Sequence, residues 1–213
     1  MRALELEGVV KALGHREVLH GVDLQLDAGE IVWLAGRNGS GKSTLLKVAA
    51  DLTPVTRGVV RWFGAAPTAH LRTRIGVLLD ASFLYGEMTA EENLIYYARL
   101  YGLEGKQKRV LEWLERFRLH RDRGVPIKTF SKGMRQRLAI ARACLHEPQL
   151  LLLDEPYDGL DAAGSQILTE WLRTLQGAGT GVLLVSHAVA PFQDLTYRTL
   201  RLEQGRLYGG GEP

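Results

Sequence analysis

The run Gly36-Arg37-Asn38-Gly39-Ser40-Gly41-Lys42-Ser43-Thr44 constrains this chain more than any other stretch. It follows the short apolar segment Ile31-Val32-Trp33-Leu34-Ala35 and precedes Leu45-Leu46-Lys47-Val48-Ala49-Ala50, a segment of helix-forming composition. Strand, glycine-rich loop and helix in that order make a phosphate-binding loop, the P-loop. Glycines at 36, 39 and 41 let the backbone wrap closely around an anion with successive N–H groups pointing inward. The start of the following helix adds its positive dipole end to the same point. Lys42 then brings a compact cation to the β- and γ-phosphates, and the Ser43 hydroxyl is placed to bind a bridging Mg²⁺. Chance alone would produce the four specified positions in a chain of this length with a probability of roughly one percent. A bland glycine-rich turn is therefore the weaker reading.

Length and composition narrow the field. The 213 residues, 46% hydrophobic, suffice for one substantial core or a core with a smaller lobe inserted into it. The single cysteine, Cys144, excludes an intrachain disulfide, and its apolar helical context points to a packed thiol. No N-terminal segment resembles a signal peptide, and no apolar run approaches the ~18 residues of a membrane span, so the cytoplasm is the expected compartment. The net charge of +3 is spread along the chain, the pattern of a solvated mixed surface, and nucleic acid is not an expected partner.

Residues 3–7 and 18–26 alternate apolar and polar side chains, the period of half-exposed strands. Further strands are expected at 31–35, 59–63 and 75–79, so an antiparallel layer joins a parallel one. From residue 81 to about 145 the period becomes helical. Thr89-Ala90-Glu91-Glu92 reads as a capping box opening one helix, and 106–118 offers a second with Val110, Leu111, Leu114 and Phe117 on one face. Four leucines at 150–153, closed by Asp154-Glu155-Pro156, suit a central parallel strand buried on both faces. A helix at 167–175, a strand at 182–185 ending in Ser186-His187, and a hairpin turning at Gln204-Gly205 complete the chain. The reading is one α/β domain over 1–213. Residues 1–80 and 146–208 form its core, 81–145 an inserted helical subdomain, and 209–213 a tail.

Asp154 and Glu155 emerge at the end of a parallel strand where ligands bind. If that strand lies beside the one feeding the P-loop, Asp154 holds Mg²⁺ and Glu155 faces the γ-phosphate as the base that activates water. His187, at the end of the next strand, can hydrogen-bond the same phosphate. Ser131 is a natural N-cap and Gly133 permits close backbone approach, making a second anion site at a helix start. Two phosphate sites on separate lobes suggest a nucleotide sandwiched between two chains.

These motifs together resemble the nucleotide-binding subunit of an ATP-binding cassette (ABC) transporter. Residues 36–43 resemble its Walker A motif, 150–154 followed by Glu155 its Walker B, and Gly159-Leu160-Asp161 its D-loop. Ser186-His187 resembles the switch histidine. Ser131-Lys132-Gly133-Met134-Arg135-Gln136 resembles the family signature in a variant associated with exporters. The resemblance implies a RecA-like P-loop NTPase fold and a head-to-tail dimer around two Mg²⁺-ATP. Each nucleotide would be closed by Ser131, Gly133 and Asp161 of the opposite subunit. It also implies a separate membrane permease on the inner face of the membrane, driven to export cargo of the drug, polysaccharide or haem and cytochrome c maturation kind. Two positions depart from the pattern: Leu13 stands where an aromatic residue usually stacks on adenine, and Asp80 where a glutamine is usual. After Asp80, the residues Phe83, Leu84, Tyr85 and Met88 are expected to floor a groove for the permease. Two alternatives remain: a soluble ABC clamp in translation or DNA repair, and a P-loop kinase, which leaves Ser131-Lys132-Gly133 unexplained.

Overall fold

The structure is a computed structural model that describes residues 1–79, 83–186 and 195–209. Strands β1 (Arg2–Leu13) and β2 (Arg16–Asp27) form a hairpin, and β4 (Arg57–Trp62) joins the other edge of β1 to give an antiparallel sheet ordered β2-β1-β4. Both strands of the hairpin outrun the alternating segments at 3–7 and 18–26. The register shifts near Leu6, Val9 and Lys11 mark bulges, and a bulge interrupts the period of two by which a strand is recognised.

A second sheet has six strands in the order β5-β6-β7-β3-β8-β9. Here β3 is Ile31–Ala35, β5 Ile75–Leu78, β6 Leu150–Asp154 and β7 Gly181–Val185. Strands β8 (Arg198–Glu203) and β9 (Arg206–Gly209) form the C-terminal hairpin. All neighbouring pairs are parallel except that hairpin. Parallel pairing requires crossovers, and helices supply them. Helix α1 (Lys42–Ala49) follows β3, and a single turn, α2 (Ala69–Arg72), precedes β5. Helices α3 (Ala90–Leu100), α4 (Lys106–Arg116) and α5 (Lys132–Cys144) intervene between β5 and β6, and α6 (Ala162–Ala178) connects β6 to β7.

The four leucines of β6 are fully buried, and the pleat divides them between two cores. Leu151 and Leu153 join residues of α3 to α6, including Leu94, Trp113, Leu138 and Trp171. Leu150 and Leu152 join α1, through Leu45 and Leu46, and the antiparallel sheet, through Leu4, Leu24 and Trp62. Each buried leucine contributes about 2 kcal/mol of apolar burial. A polar substitution in this strand would damage both layers at once.

The leucine strand does not lie beside the P-loop strand, because β7 sits between them. Asp154 nevertheless reaches the P-loop. In a twisted parallel sheet every strand ends on the same side, and helix α1 leans across β7 towards β6.

Candidate active site

The P-loop closes on itself through Ser40, whose N–H donates to the Arg37 carbonyl at 3.1 Å. Gly36 has no room for a side chain: a Cβ there would lie 2.4 Å from the Leu202 carbonyl oxygen and 2.8 Å from Ser40 Oγ. The β8–β9 hairpin thus buttresses the loop, and its turn is clipped in place by Gly205 N–H donating to Ser40 O and His20 N–H donating to Gly205 O. Gly41 caps α1 in a left-handed conformation, φ 108°, and offers the helix no side-chain acceptor. The N–H groups of the first turn, which have no intrahelical acceptor, are therefore available to an anion. Ser40 Oγ is buried and has no hydrogen-bond partner among the described residues, a second polar group directed into the loop.

Lys42 opens α1 and is 6% exposed. Its Nζ donates to the carbonyls of Gly36 at 2.7 Å and Arg37 at 3.1 Å, so the ammonium folds back over the loop. Burial lowers its pKa, while the Glu155 and Asp154 carboxylates push it back up. Lys42, Ser43 and Thr44 line a cleft of about 320 Å³ together with Asn38, Asp154 and Glu155. The loop and the Walker B carboxylates, separated by more than a hundred residues of chain, thus share one cavity. Asp154 is 4% exposed at the end of β6. Glu155 follows it in a left-handed conformation, φ 45°, with its N–H donating to Val185 O at 2.9 Å. Among the described residues no cluster of three or more His, Cys, Asp or Glu side chains could cage a metal. A serine hydroxyl and one carboxylate suit Mg²⁺, which takes its remaining ligands from phosphate and water.

The cleft continues past Val18, Asn38 and Gly39 into a cavity of about 930 Å³, whose walls include Arg16, His20, Arg37, Gln204 and Tyr208. Leu13 stands near the tip of the β1–β2 hairpin, 54% exposed. Asp80 and His187 fall outside the described residues. The strand that leads to His187 is anchored by Trp33, whose Nε1–H donates to the Ser186 carbonyl at 3.0 Å.

Ser131 caps α5 as expected, its Oγ accepting from Met134 N–H at 3.2 Å. Gly133 is required by a backbone contact, since a Cβ there would lie 2.7 Å from Gly159 O. Asp161 caps α6, accepting from Gly164 N–H at 2.8 Å. Gln136, which the sequence places in the signature-like stretch without a role of its own, has its Nε2 donating to the carbonyls of Glu155 and Pro156, both at 3.1 Å. No local pattern marks a side chain whose partners lie twenty residues away.

Phe83 and Tyr85 are about half exposed, Met88 is half-buried, and Leu84 packs against the helical core. Tyr85 meets Tyr96 edge to face at 5.1 Å, and Tyr96 meets Tyr97 at 5.3 Å. The loop is pinned by the fully buried Asn93, which accepts from Tyr85 N–H and donates to the carbonyls of Tyr85 and Thr89. Beneath it, the buried Arg142 donates to Val77 O at 2.7 Å and lies over the Phe83 and Tyr97 rings.

A doubly layered P-loop fold with a phosphate cleft between Lys42 and Glu155 defines a nucleotide-hydrolase class. Comparison with known proteins then identifies the family. The family model described as ABC transporter matches residues 19–158. The chain is 37% identical over 192 residues to the ABC transporter ATP-binding protein NatA of Bacillus subtilis strain 168, a match covering 87% of this chain and 78% of NatA. It is 35% identical over 216 residues to the Nod factor export ATP-binding protein I of Sinorhizobium fredii, covering 99% of this chain and 63% of that protein. A dimeric ATP-binding cassette solved in a post-hydrolysis state with ADP and Pi superposes with a TM-score of 0.87 at 27% identity, covering 97% of this chain and 98% of that one. The chain belongs to the ABC transporter family, as an ATP-binding and ATP-hydrolysing subunit.

Proposed function

We propose that this subunit works as a dimer closing around two Mg²⁺-ATP and drives export through a separate membrane-embedded partner at the inner face of the membrane. The observation that carries this reading is the shared cleft of the P-loop and the Asp154-Glu155 pair, together with an outward-facing helix tip at Ser131. The loop amides and Lys42 hold the β- and γ-phosphates, and Ser43 and Asp154 hold Mg²⁺, which when bound neutralises the charge that develops on the transferred phosphoryl group. Glu155 accepts a proton from the attacking water, and His187 and Asp80 complete the phosphate end of the site. The base extends towards Leu13 and the cavity beyond Asn38. The second subunit supplies Ser131 and Gly133 to the γ-phosphate and Asp161 to the interface. The dimeric cassette among the structural relatives supports two-chain assembly. The relative named for Nod factor export supports the direction of transport.

In this reading the cassette is one domain over 1–213, and its helical part, 81–145, faces the membrane partner. The exposed Tyr85, Tyr96 and Phe83 supply the aromatic surface it would meet. Removing the base tests the assembly: Glu155→Gln should bind ATP, turn it over at least a hundredfold more slowly, and sediment as a dimer in its presence. A monomer with ATP bound, or turnover at the wild-type rate, would overturn the reading.

A further inference from the structure

Because β7 runs between β3 and β6, its end stands between the phosphate loop and Glu155. Glu155 hangs on that end from the β6 side, its N–H donating to Val185 O at 2.9 Å. Val185 is the last residue of β7, and its register partner on β3 is Leu34. Past that pair the backbone ladder between β3 and β7 stops, because β3 ends at Ala35 and the chain enters the P-loop at Gly36.

A side chain continues the ladder where the backbone leaves off. The Trp33 indole reaches along the sheet beyond its own register partner, Leu184, and its Nε1–H donates to Ser186 O at 3.0 Å. Ser186 is buried, so the bond lies out of water, where losing a hydrogen bond costs most. On another side the indole meets the Tyr197 ring edge to face at 6.0 Å, and Tyr197 stands immediately before β8, the other neighbour of β3. An indole that only filled the core would need some acceptor for its N–H, and any carbonyl would serve. This one takes the residue next to Val185, whose carbonyl holds Glu155, and stands three residues before Gly36. Glu155 is left-handed, φ 45°, a conformation that its surroundings must impose, so the direction of its side chain follows its backbone anchor.

We propose that Trp33 is a positioning residue for hydrolysis: its indole N–H fixes the end of β7 and so holds the Glu155 carboxylate within reach of the γ-phosphate in the P-loop. The inference rests on the reading of Glu155 as the base. Capture of ATP by the loop amides and Lys42 does not pass through this bond.

The test is Trp33→Phe in the full chain, which keeps an aromatic ring in the core and removes the donor. Its kcat should fall about tenfold with the KM for ATP within about twofold. Added to Glu155→Gln, the same substitution should change the residual kcat by less than about twofold, since no carboxylate remains to be placed. Wild-type turnover in Trp33→Phe would overturn the proposal. A tenfold loss in both backgrounds, or a raised KM, would overturn it too, because either marks a general disturbance of the site. Should the smaller ring leave the chain unfolded, 3-benzothienylalanine in place of Trp33 carries the test, with the shape of the indole and sulfur where the N–H was. A tenfold slower kcat at unchanged KM is the result expected there, and wild-type turnover overturns the proposal. Glu155→Gln by itself separates the two readings. Wild-type turnover in that variant removes the base and this inference together, whereas a slow Glu155→Gln alongside an unaltered Trp33→Phe removes only this inference.

Discussion

In the proposed function the base of the nucleotide meets Leu13. Leu13 has no ring and does not line the cavity beyond Asn38, whose own rings are those of His20 and Tyr208. Leu13→Tyr should therefore tighten ATP about three- to tenfold, the value of one aromatic contact, and sharpen the preference for ATP over GTP in a calorimetric titration. Equal affinity in both proteins would show that the base lies elsewhere. His146 gives a second prediction. Its ring stacks on Tyr101 at 4.0 Å, Nε2 lies 3.0 Å from Ile75 O, and the buried Nδ1 has no hydrogen-bond partner among the described residues. Burial holds its pKa near 4 against the ordinary 6.5; the Ile75 bond opposes that shift and the Arg142 charge adds to it. The unfolded chain takes up this proton below pH 6.5 and the folded chain does not until about pH 4. Stability should thus fall as pH drops through that window, by up to ~1.4 kcal/mol per unit for one proton. Urea denaturation at stepped pH should show this slope, reduced by one proton in His146→Phe.

At the scale of elements, contact between strand and helix outweighs helix propensity. Gly76 in β5 faces α5 so closely that a Cβ would lie 2.2 Å from Ala143 O, and Gly76→Ala should cost about 2 kcal/mol or more by forcing α5 outward. Gly177 in α6 is also exchangeable for alanine on paper, but nothing lies within 4 Å of its Cβ position. Gly177→Ala should raise stability by about 0.5 kcal/mol, since it removes only backbone freedom from the unfolded chain. Opposite shifts of the denaturant midpoint would bear this out, and a shared sign would refute it. The elements legible in sequence were those with local chemistry at their ends. The Thr89–Glu92 capping box is formed in both directions, and Ser131 caps α5. Helix α6 begins at Ala162, earlier than the apolar period at 167 suggests, because its start is set by the Asp161 cap and by alanines that carry no period.

For the whole molecule, the tyrosines at 85 and 96 test coupling to the membrane. Both are more than 40% exposed and neither lines the nucleotide cleft. Tyr85→Ser with Tyr96→Ser should leave the isolated subunit's melting temperature within a few degrees and its ATPase rate unchanged. Copurification with the membrane partner should be lost. Retained association would place the docking surface elsewhere. The Leu84 side chain, packed into the helical core, would instead destabilise the chain when replaced by serine, and it serves as the contrasting control.

By itself the sequence determined the phosphate loop, the doubly buried leucine strand and the helix caps. Each is local: glycine spacing, an uninterrupted apolar run, or a hydroxyl three residues before its N–H. The tertiary structure alone decided that β7 separates β6 from β3, that Gln136 and Lys132 close on residues 155–159, and that a buried Arg142 props the loop before α3. Those contacts join segments distant in sequence, and a side chain carries no mark of a partner that only the folding of the sheet brings within 3 Å.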